Sequence, residues 1–563
     1  MADTAAAADS VPESEAEGAP CRVAMRPGEL PRVIFRPVPG HRHDEAWQER
    51  RVRAAPEVPG GRLAYYNSSK TASNSNVLQV LLRDHGFERV ESADDDWSVF
   101  WCAGQVDPEA LRRLAPWQKV NKFPKASALT LKANLWTCFK QMQDRHGREH
   151  FGFMPTTFVL PREIKAFERR AREMLQMDDP CAKEDDPAPE GGSVPPVRTW
   201  IFKPAAAYCG RGIWMHRFET EPDATAEALL TDEMHKHKGV VSAYLEPFLI
   251  DGLKSDVRLY VLVTSFHPLN LYLYEEGLAR FATEPYHAAS LDERCGHLTN
   301  YSLNKFSDKF VKNTNAAEDD AGSKWSLSAF RRRLVQQFGE ERVAKVWREV
   351  DDLVVKTVMA AEPVIVEALK DYLPDAARGE PTRQCFQLFG FDVMLDDTLK
   401  PHLLEVNLDP ALRTESPLDL KIKSSMLLDA LNTVGLPLPP PQPPSLAPAA
   451  AKEGEEREGA DPTTSGSVGV SDELDESSTP SSNLSRWVAS GAAAPGSTSA
   501  SSPGGGGAAA LSDVERWALH LVNAEFERSK EGKWRRLFPS PRSGEYYRFL
   551  DPEHTMHRLP FDV

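Results

Sequence analysis

Cysteine is sparse in this chain and follows no pairing pattern. Seven cysteines are scattered through 563 residues without a CxxC spacing. An odd, irregular set argues against a disulfide framework and for a reducing compartment. No run approaches the roughly 20 apolar residues of a membrane helix, so a soluble protein is expected. The opening MADTAAAADSVPESEAEGAP is acidic and lacks the basic and apolar regions of a secretory signal. Neither a GKS/GKT phosphate loop nor a GxGxxG fingerprint is present. A basic excess is missing as well: the formal net charge is −16, which argues against a generic nucleic-acid binder.

The charge that is present is uneven. Residues 1–20 carry −5, residues 437–510 carry −6, and the remainder only −5. Residues 1–29 and roughly 40–60 read as flexible, with LPRVIFRPV (30–38) between them as a short strand. NVLQVLLRDHGFERV (76–90) has a helical period that stops at Gly86, and WSVFWCAG (97–104) reads as a buried strand. Together these suggest a small N-terminal α/β domain over 30–127. KANLWTCFKQMQDRHG (132–147) predicts a helix, FMPTTFVLP and RTWIFKP predict strands, and 177–196 is an acidic, Pro/Gly-rich loop. These fall in a central unit, 128–240, with a C-terminal unit over 241–436. Residues 437–510 are low complexity and cannot bury enough apolar surface to order themselves. A closing segment, 511–563, turns globular again, with a helix over 512–529 and Ser512 as its N-cap.

PHLLEVNLDP (401–410) poses a chemical question: Glu405 and Asn407 interrupt an otherwise apolar strand. LFGFDVML (388–395) precedes it across a DDT turn, and the hairpin register places Asp392 near Glu405. Phe389, Phe391, Val393 and Leu395 share one face of the first strand. Leu404, Val406 and Leu408 share one face of the second, with Glu405 and Asn407 opposite. Two facing carboxylates repel in water, whereas a hard cation such as Mg²⁺ takes carboxylates, an amide oxygen and nucleotide phosphates. A half-exposed strand is the bland alternative. WIFKPAAAYCGRGIWM (200–215) delivers Lys203 to a turn with Gly210 and Gly212, whose amides suit a phosphate. In DVRLYVLV, Asp256 and Arg258 share a face, as an ion-pair ladder would. Arg280 sits in the apolar LARFA and wants a carboxylate. HLTNYSLNK (297–305) is a polar run, either a solvated loop or a site lining.

Taken in order, KVNKFP (119–124), FKPAAAYCGRGIWM, KSDVRLYVLVTSF, LYLYEEGLARFAT, HLTNYSLNK, SKWSLSA, CFQLFGFDVMLDDTLKPHLLEVNLDP and PLDLKIK resemble the tubulin tyrosine ligase-like family, and within it the polyglutamylase branch. The resemblance runs through 119–436 and resumes at KEGKWRRLFPS (530–540). It implies an α/β (α+β) ATP-grasp fold with N-terminal, central and C-terminal domains plus long disordered segments. It implies ATP and Mg²⁺ as cofactors. By position, Lys132, Lys203, Cys209 and Gly210 fall where the family holds phosphates. Val241, Ser242, Ala243 and Tyr244 fall at its adenine hinge. Lys254, Ser255 and Asp256 match its K-F-D, and Thr299 and Asn300 its T-N, both nucleotide contacts. Asp392, Glu405 and Asn407 match the magnesium ligands. Arg280, Tyr301, Ser302, Lys324 and Lys421 match the pocket for the incoming amino acid. Lys203 and Arg280 carry the catalytic assignment.

The implied activity is ATP-dependent polyglutamylation of tubulin: free glutamate joined by an isopeptide bond to glutamate side chains of the acidic tails through an acyl phosphate. Glycylation and a catalytically inactive microtubule-binding scaffold are the alternatives. The implied partners are tubulin, microtubules and free glutamate, with no nucleic acid and no membrane, and the chain is expected to be a monomer. The implied location is the cytoplasm and cytoskeleton, with cilium and basal body as candidate sites. Because the chain and tubulin tails are both acidic, local cations must serve binding; Lys421, Lys423 and the Lys530–Arg536 cluster are candidates.

Overall fold

The computed structural model describes residues 22–24, 31–36, 62–69, 76–176, 199–205, 210–218, 230–439 and 511–563. The acidic 1–20 segment, the 177–196 loop, Cys209 and most of the 437–510 insert lie outside them. Among the described residues, helices mix with four β-sheets.

The N-terminal part begins with a two-stranded antiparallel pair, β1 (Arg22–Ala24) and β2 (Arg32–Ile34). Arg22–Ala24 is thus a strand, although composition placed it in a flexible leader; pairing with Arg32–Ile34 supplies its backbone partners. A parallel sheet follows in the order β4-β3-β5-β6, from β3 (Ala64–Asn67), β4 (Glu88–Val90), β5 (Val99–Trp101) and β6 (Lys119–Val120). The helix Asn76–Asp84 ends before Gly86, whose φ of 83° suits a residue without Cβ. The strand Ala64–Asn67 was not visible in the sequence reading.

The central sheet is antiparallel, in the order β7-β10-β8-β9: β7 (Thr157–Leu160), β8 (Thr199–Pro204), β9 (Trp214–Arg217) and β10 (Gly239–Ala243). Helices Lys132–His146 and Ile164–Gln176 flank β7 in sequence. Phe167 from the second helix packs edge-on to Trp200 and Phe202 of β8.

The largest sheet organises the molecule. It is formed by β11 (Leu249–Ile250), β12 (Leu253–Phe266), β13 (Leu269–Phe281), β14 (Lys324–Ser326), β15 (Gln387–Leu395), β16 (Pro401–Asn407) and β17 (Trp534–Phe538). The path is β14-β13-β12-β15-β16, with β11 on β12 and β17 on β13. Strand alternation splits the core. Val257, Leu259, Val261 and Val263 of β12 meet Val350, Val354 and Val358 of the 33-residue helix Glu340–Tyr372. Tyr260 and Leu262 on the opposite face meet Leu418 and Met426 of helix Pro417–Val434, with Val77 and Leu78 of the N-terminal helix. Burying such side chains contributes about 1.5–3 kcal/mol each.

The closing segment is part of this body. β17 pairs with β13 at Tyr272–Arg536 and Tyr274–Trp534. Helix Asp513–Ser529 starts at a capping box between Ser512 and Glu515, and inside it Glu525 pairs with Arg383 at 2.6 Å. Residues on either side of the start of the low-complexity segment are also engaged: the Leu438 amide donates to Pro31 O at 2.7 Å, and the Val33 amide to Leu436 O at 3.0 Å. Among the described residues no helix is long and apolar enough to cross a membrane.

Candidate active site

A cavity of about 380 Å³ lies between the central and the largest sheets, lined by residues of both. Its apolar lining comes from Ile201, Ile213, Leu298, Met394, Leu404 and Leu408, a set suited to a flat apolar ring. Its polar lining includes Lys132, Lys203, Lys254, Asp256, Thr299, Asn300, Asp392, Glu405 and Asn407.

From the central sheet come Lys203 at the end of β8 and the Gly210 turn. Gly210 has φ +73°, and a Cβ there would stand 3.2 Å from Asn300 Oδ1, so only glycine allows this approach. Arg294 donates to Gly210 O at 2.6 Å. Burial pushes the Lys203 ammonium pKa down, and Lys132 adds to that, while Glu405 and Asp392 act the other way. Ser242, Ala243 and Tyr244 line the cavity. The amides of Ala243 and Tyr244 donate to Thr156 O and Thr199 O, so those donors belong to the sheet. Leu245, next on the wall, was missed. Val241 is 0% exposed in the core of this sheet, the opposite side from the cavity.

From β12 come Lys254 and Asp256. Ser255, between them, does not line the cavity, as the period of two requires. Lys254 Nζ donates to Tyr244 Oη at 2.9 Å. Tyr244 Oη lies 2.8 Å from His297 Nδ1, and His297 Nε2 lies 2.8 Å from Ser290 O. Since a carbonyl only accepts, His297 carries its proton on Nε2, and Nδ1 accepts from Tyr244. Burial lowers the Lys254 pKa to about 7, against Asp256. Thr299 and Asn300 close this wall.

The hairpin supplies the third wall. Asp392 and Glu405 are cross-strand partners, as expected. A β-bulge between Asp392 and Val393 shifts the register beyond them. It places Leu403, 0% exposed, in the core and turns Leu404 to the cavity. The expected Leu404–Val406–Leu408 face is therefore broken, because a bulge interrupts the alternation. Each carboxylate has a cation. Arg258 forks onto Asp392, Nε to Oδ1 at 2.5 Å and Nη2 to Oδ2 at 3.1 Å. Arg280 Nη2 reaches Asp392 Oδ2 at 2.9 Å and Asp256 Oδ2 at 2.5 Å. Lys132 lies 3.5 Å from Glu405. Burial opposes ionisation of Asp392, but Arg258 and Arg280 outweigh it and hold the carboxyl well below its usual range. The donor set fits Mg²⁺: two carboxylates and a carboxamide, all hard oxygen donors, reach one cavity whose opposite wall is cationic.

The residues assigned to the amino-acid pocket do not line this cavity. Arg280 is paired with Asp256 and Asp392. Lys324 bonds Asp419 Oδ2 at 2.8 Å and stacks 4.2 Å over the Tyr301 ring; Ser302 follows Tyr301 in the short helix Tyr301–Asn304. Lys421 is exposed and donates to Ala316 O at 3.3 Å. Lys423, expected as a surface cation, is buried and lies 3.3 Å from Asp419. Burial disfavours the Asp419 anion, yet Lys423 and Lys324 bring its carboxyl down to about 2. The Lys530–Arg536 cluster is largely neutralised: Lys530 pairs with Glu527, Arg535 forks onto Asp351, and Arg536 is buried over Phe526.

A second polar cluster lies at the C-terminal end. Glu362, His554 and His557 are buried, with their ligand-type atoms within 4.8 Å of one another. His554 Nδ1 and His557 Nε2 lie 2.6 and 3.0 Å from Glu362 Oε1. The Leu269 amide donates to His557 Nδ1 at 2.9 Å, so the His557 proton sits on Nε2 and no lone pair remains there for a metal. The cluster is a hydrogen-bonded tether.

The tubulin-tyrosine ligase family model matches residues 110–445. The chain is 40% identical over 366 residues to tubulin polyglutamylase TTLL5 of Mus musculus, covering 64% of this chain and 24% of that protein. It is 36% identical over 374 residues to tubulin polyglutamylase ttll-5 of Caenorhabditis elegans, covering 65% and 47%. It is 35% identical over 372 residues to tubulin monoglutamylase TTLL4 of Homo sapiens, covering 66% and 27%. The chain thus matches about a quarter of the length of the mammalian relatives and about half of the nematode one. With the family model spanning more than half of its residues, the chain belongs to the tubulin-tyrosine ligase family.

Proposed function

We propose that the chain is an ATP-dependent ligase that joins free glutamate through an isopeptide bond to glutamate side chains in the acidic tails of tubulin. The observation that carries this reading is the single cavity in which Lys203 and Lys254 face Asp392, Glu405 and Asn407. The choice of glutamate and tubulin rests on the names of the similar relatives.

The chemistry follows from the donors. A carboxylate is a poor acyl donor, so transfer of the γ-phosphoryl group of ATP to the target carboxylate yields an acyl phosphate and ADP. The amine of free glutamate, having lost a proton, attacks the acyl carbon, and phosphate leaves. Lys203 and Lys132, with the Gly210 turn, hold phosphate oxygens and stabilise their charge. The apolar lining takes adenine, with Lys254, Thr299 and Asn300 along the nucleoside. Asp392, Glu405 and Asn407 would hold Mg²⁺, which when bound offsets the charge gathering on the phosphates. Arg280, Lys324 and Lys421, with Tyr301 and Ser302, bind the carboxylates of the incoming glutamate. Orienting it there removes part of the entropic barrier. Arg280 does this while held by Asp256 and Asp392, which fixes its plane. A tubulin substrate makes the cytoskeleton the site of action.

The test is incorporation of labelled glutamate into microtubules by the purified chain with Mg-ATP, with labelled glycine in competition. Glutamate transfer supports the reading. Preferential glycine transfer makes the chain a glycylase. No transfer beside an active relative, with microtubules still pelleting the protein and ATP failing to raise its melting temperature, makes it a scaffold.

A further inference from the structure

The open end of the β15–β16 hairpin is gripped by residues of the N-terminal domain that do not themselves line the nucleotide cavity. β16 stops at Asn407, and two residues later Asp409 turns onto that domain. Lys122 Nζ donates to Asp409 Oδ1 at 2.6 Å, and the Gly104 amide donates to Oδ2 at 2.8 Å. The Lys122 side chain is 2% exposed and that of Asp409 43%. A buried ammonium without an acid beside it is unfavourable, so Lys122 holds Asp409 in place.

The neighbours of Lys122 act on the same hairpin. The Val120 amide donates to Gln384 O at 2.7 Å, and the Phe386 amide to Val120 O at 3.0 Å. Asn121 Oδ1 accepts the Cys102 amide at 2.6 Å, tying the 102–104 turn to Lys122. The Phe123 amide donates to Gln387 Oε1 at 3.0 Å, and Gln387 Nε2 donates to Leu408 O at 3.4 Å. Four consecutive residues, 120–123, therefore fix the entry of β15 and the exit of β16. Apolar packing through Leu403 and Val406 already holds the strand against the core. What it does not fix is the last turn of backbone that aims Asn407.

We propose that Lys122 and Asp409 are positioning residues for the metal–phosphate site: a clamp through which the N-terminal domain sets Asn407 and Glu405 for the divalent cation. The inference rests on the Mg-ATP reading above. A ligand displaced by even a fraction of an ångström loses much of its contribution, and partners one step behind metal ligands are worth about 10–100-fold in affinity.

The test uses the full chain and its variants Asp409→Asn, Lys122→Met, Lys122→Arg and the Asp409→Asn/Lys122→Met pair. Mn²⁺ binding is titrated by electron paramagnetic resonance with a non-hydrolysable ATP analogue, beside metal-free analogue binding and the melting temperature. The clamp predicts at least a tenfold rise in the Mn²⁺ dissociation constant for Asp409→Asn. It predicts no further rise in the double variant, unchanged metal-free binding of the analogue, and near wild-type behaviour for Lys122→Arg. Asp409 is half exposed, so Asp409→Asn keeps the test open should Lys122→Met not fold. Mn²⁺ affinity unchanged in Asp409→Asn overturns the clamp, whatever happens to the melting temperature. Wild-type protein that binds the analogue but no Mn²⁺ overturns the metal reading, and the clamp with it.

Discussion

At the scale of single residues, the site turns on charges placed where water is excluded. Lys254 is the sharpest case. Burial holds its pKa at about 7, far below the ordinary lysine value. A lysine with a depressed pKa is charged below that value and loses its proton as pH rises through it. If the ammonium contacts the nucleotide, ATP affinity should fall steadily from about pH 7 to pH 9, with proton uptake on binding. Calorimetry in buffers of different ionisation enthalpy measures both, and Lys254→Met should bind more weakly and without that slope. Arg258 is the residue that the sequence reading left as one rung of a possible ion-pair ladder. Its fork onto Asp392 makes Arg258→Lys a poor replacement, since an ammonium cannot match two oxygens at once. Removing a partner from a buried pair costs about 3–5 kcal/mol; Arg258→Ala should lower the denaturation midpoint accordingly, and glutamate transfer by at least 100-fold. The cross-strand pair Asp392 and Glu405 was legible because both sit in a short-turn hairpin. Arg258 was not, because an arginine alternating with an aspartate on a strand face looks the same whether it serves a site or a surface.

At the scale of elements, the hairpin and the C-terminal tether show what periodicity carries and what it misses. Alternation located the apolar face of the first strand, and Phe389, Phe391, Val393 and Leu395 do lie in one core. The bulge beside Asp392 was invisible, since nothing in PHLLEVN marks an extra residue. The apolar lining was equally illegible: Ile201, Leu298 and Met394 look like core residues until two sheets are seen to face each other. The tether is made across nearly 200 residues of sequence, between Glu362 in the long helix and two histidines near the chain end. Donating to the Glu362 carboxylate raises the His554 pKa, and the two histidines outweigh burial to leave the Glu362 pKa lowered. His267 faces both histidines and is held neutral, its pKa pushed down to about 3 by burial and by His557 and His554; Asp551 and Lys370 supply the remaining charges nearby. His554 therefore stabilises the docked segment below its ordinary pKa and loses that as pH rises through the raised value. Glu362 contributes above its ordinary pKa and loses that as pH falls through the lowered value. Proteolytic resistance of residues 551–563 should be greatest between about pH 4.5 and 6.5, near the ordinary carboxylate and imidazole values, and weaken as pH rises through the raised His554 value. Glu362→Gln should abolish the contrast.

At the scale of the whole molecule, the fold is assembled from distant parts of the chain. The family match ends at residue 445, yet β17 completes the largest sheet beside β13 and Glu525 sits buried between Arg383 and Arg528. A chain ended at 445 should lose cooperative thermal unfolding by circular dichroism, because the β13 edge and the Arg383 guanidinium lose their partners. The ordered run of family motifs made the ATP-grasp arrangement readable from the sequence. The small parallel sheet and its grip on the hairpin were not, because β6 is two residues long and Lys122 looks like any surface lysine. Of the cations near the chain end, Lys530 and Arg535 are paired and Arg536 is buried, whereas Lys533 stays exposed. The central claim is that the hairpin carboxylates and the facing lysines form one ATP-dependent glutamate ligase site. Mass spectrometry of tubulin incubated with Mg-ATP, glutamate and either wild-type protein or Glu405→Gln tests it most directly. The account predicts added glutamate units on tail peptides with the wild type, and at least a 100-fold loss with Glu405→Gln at unchanged melting temperature. Glutamate addition by Glu405→Gln at the wild-type rate would contradict it.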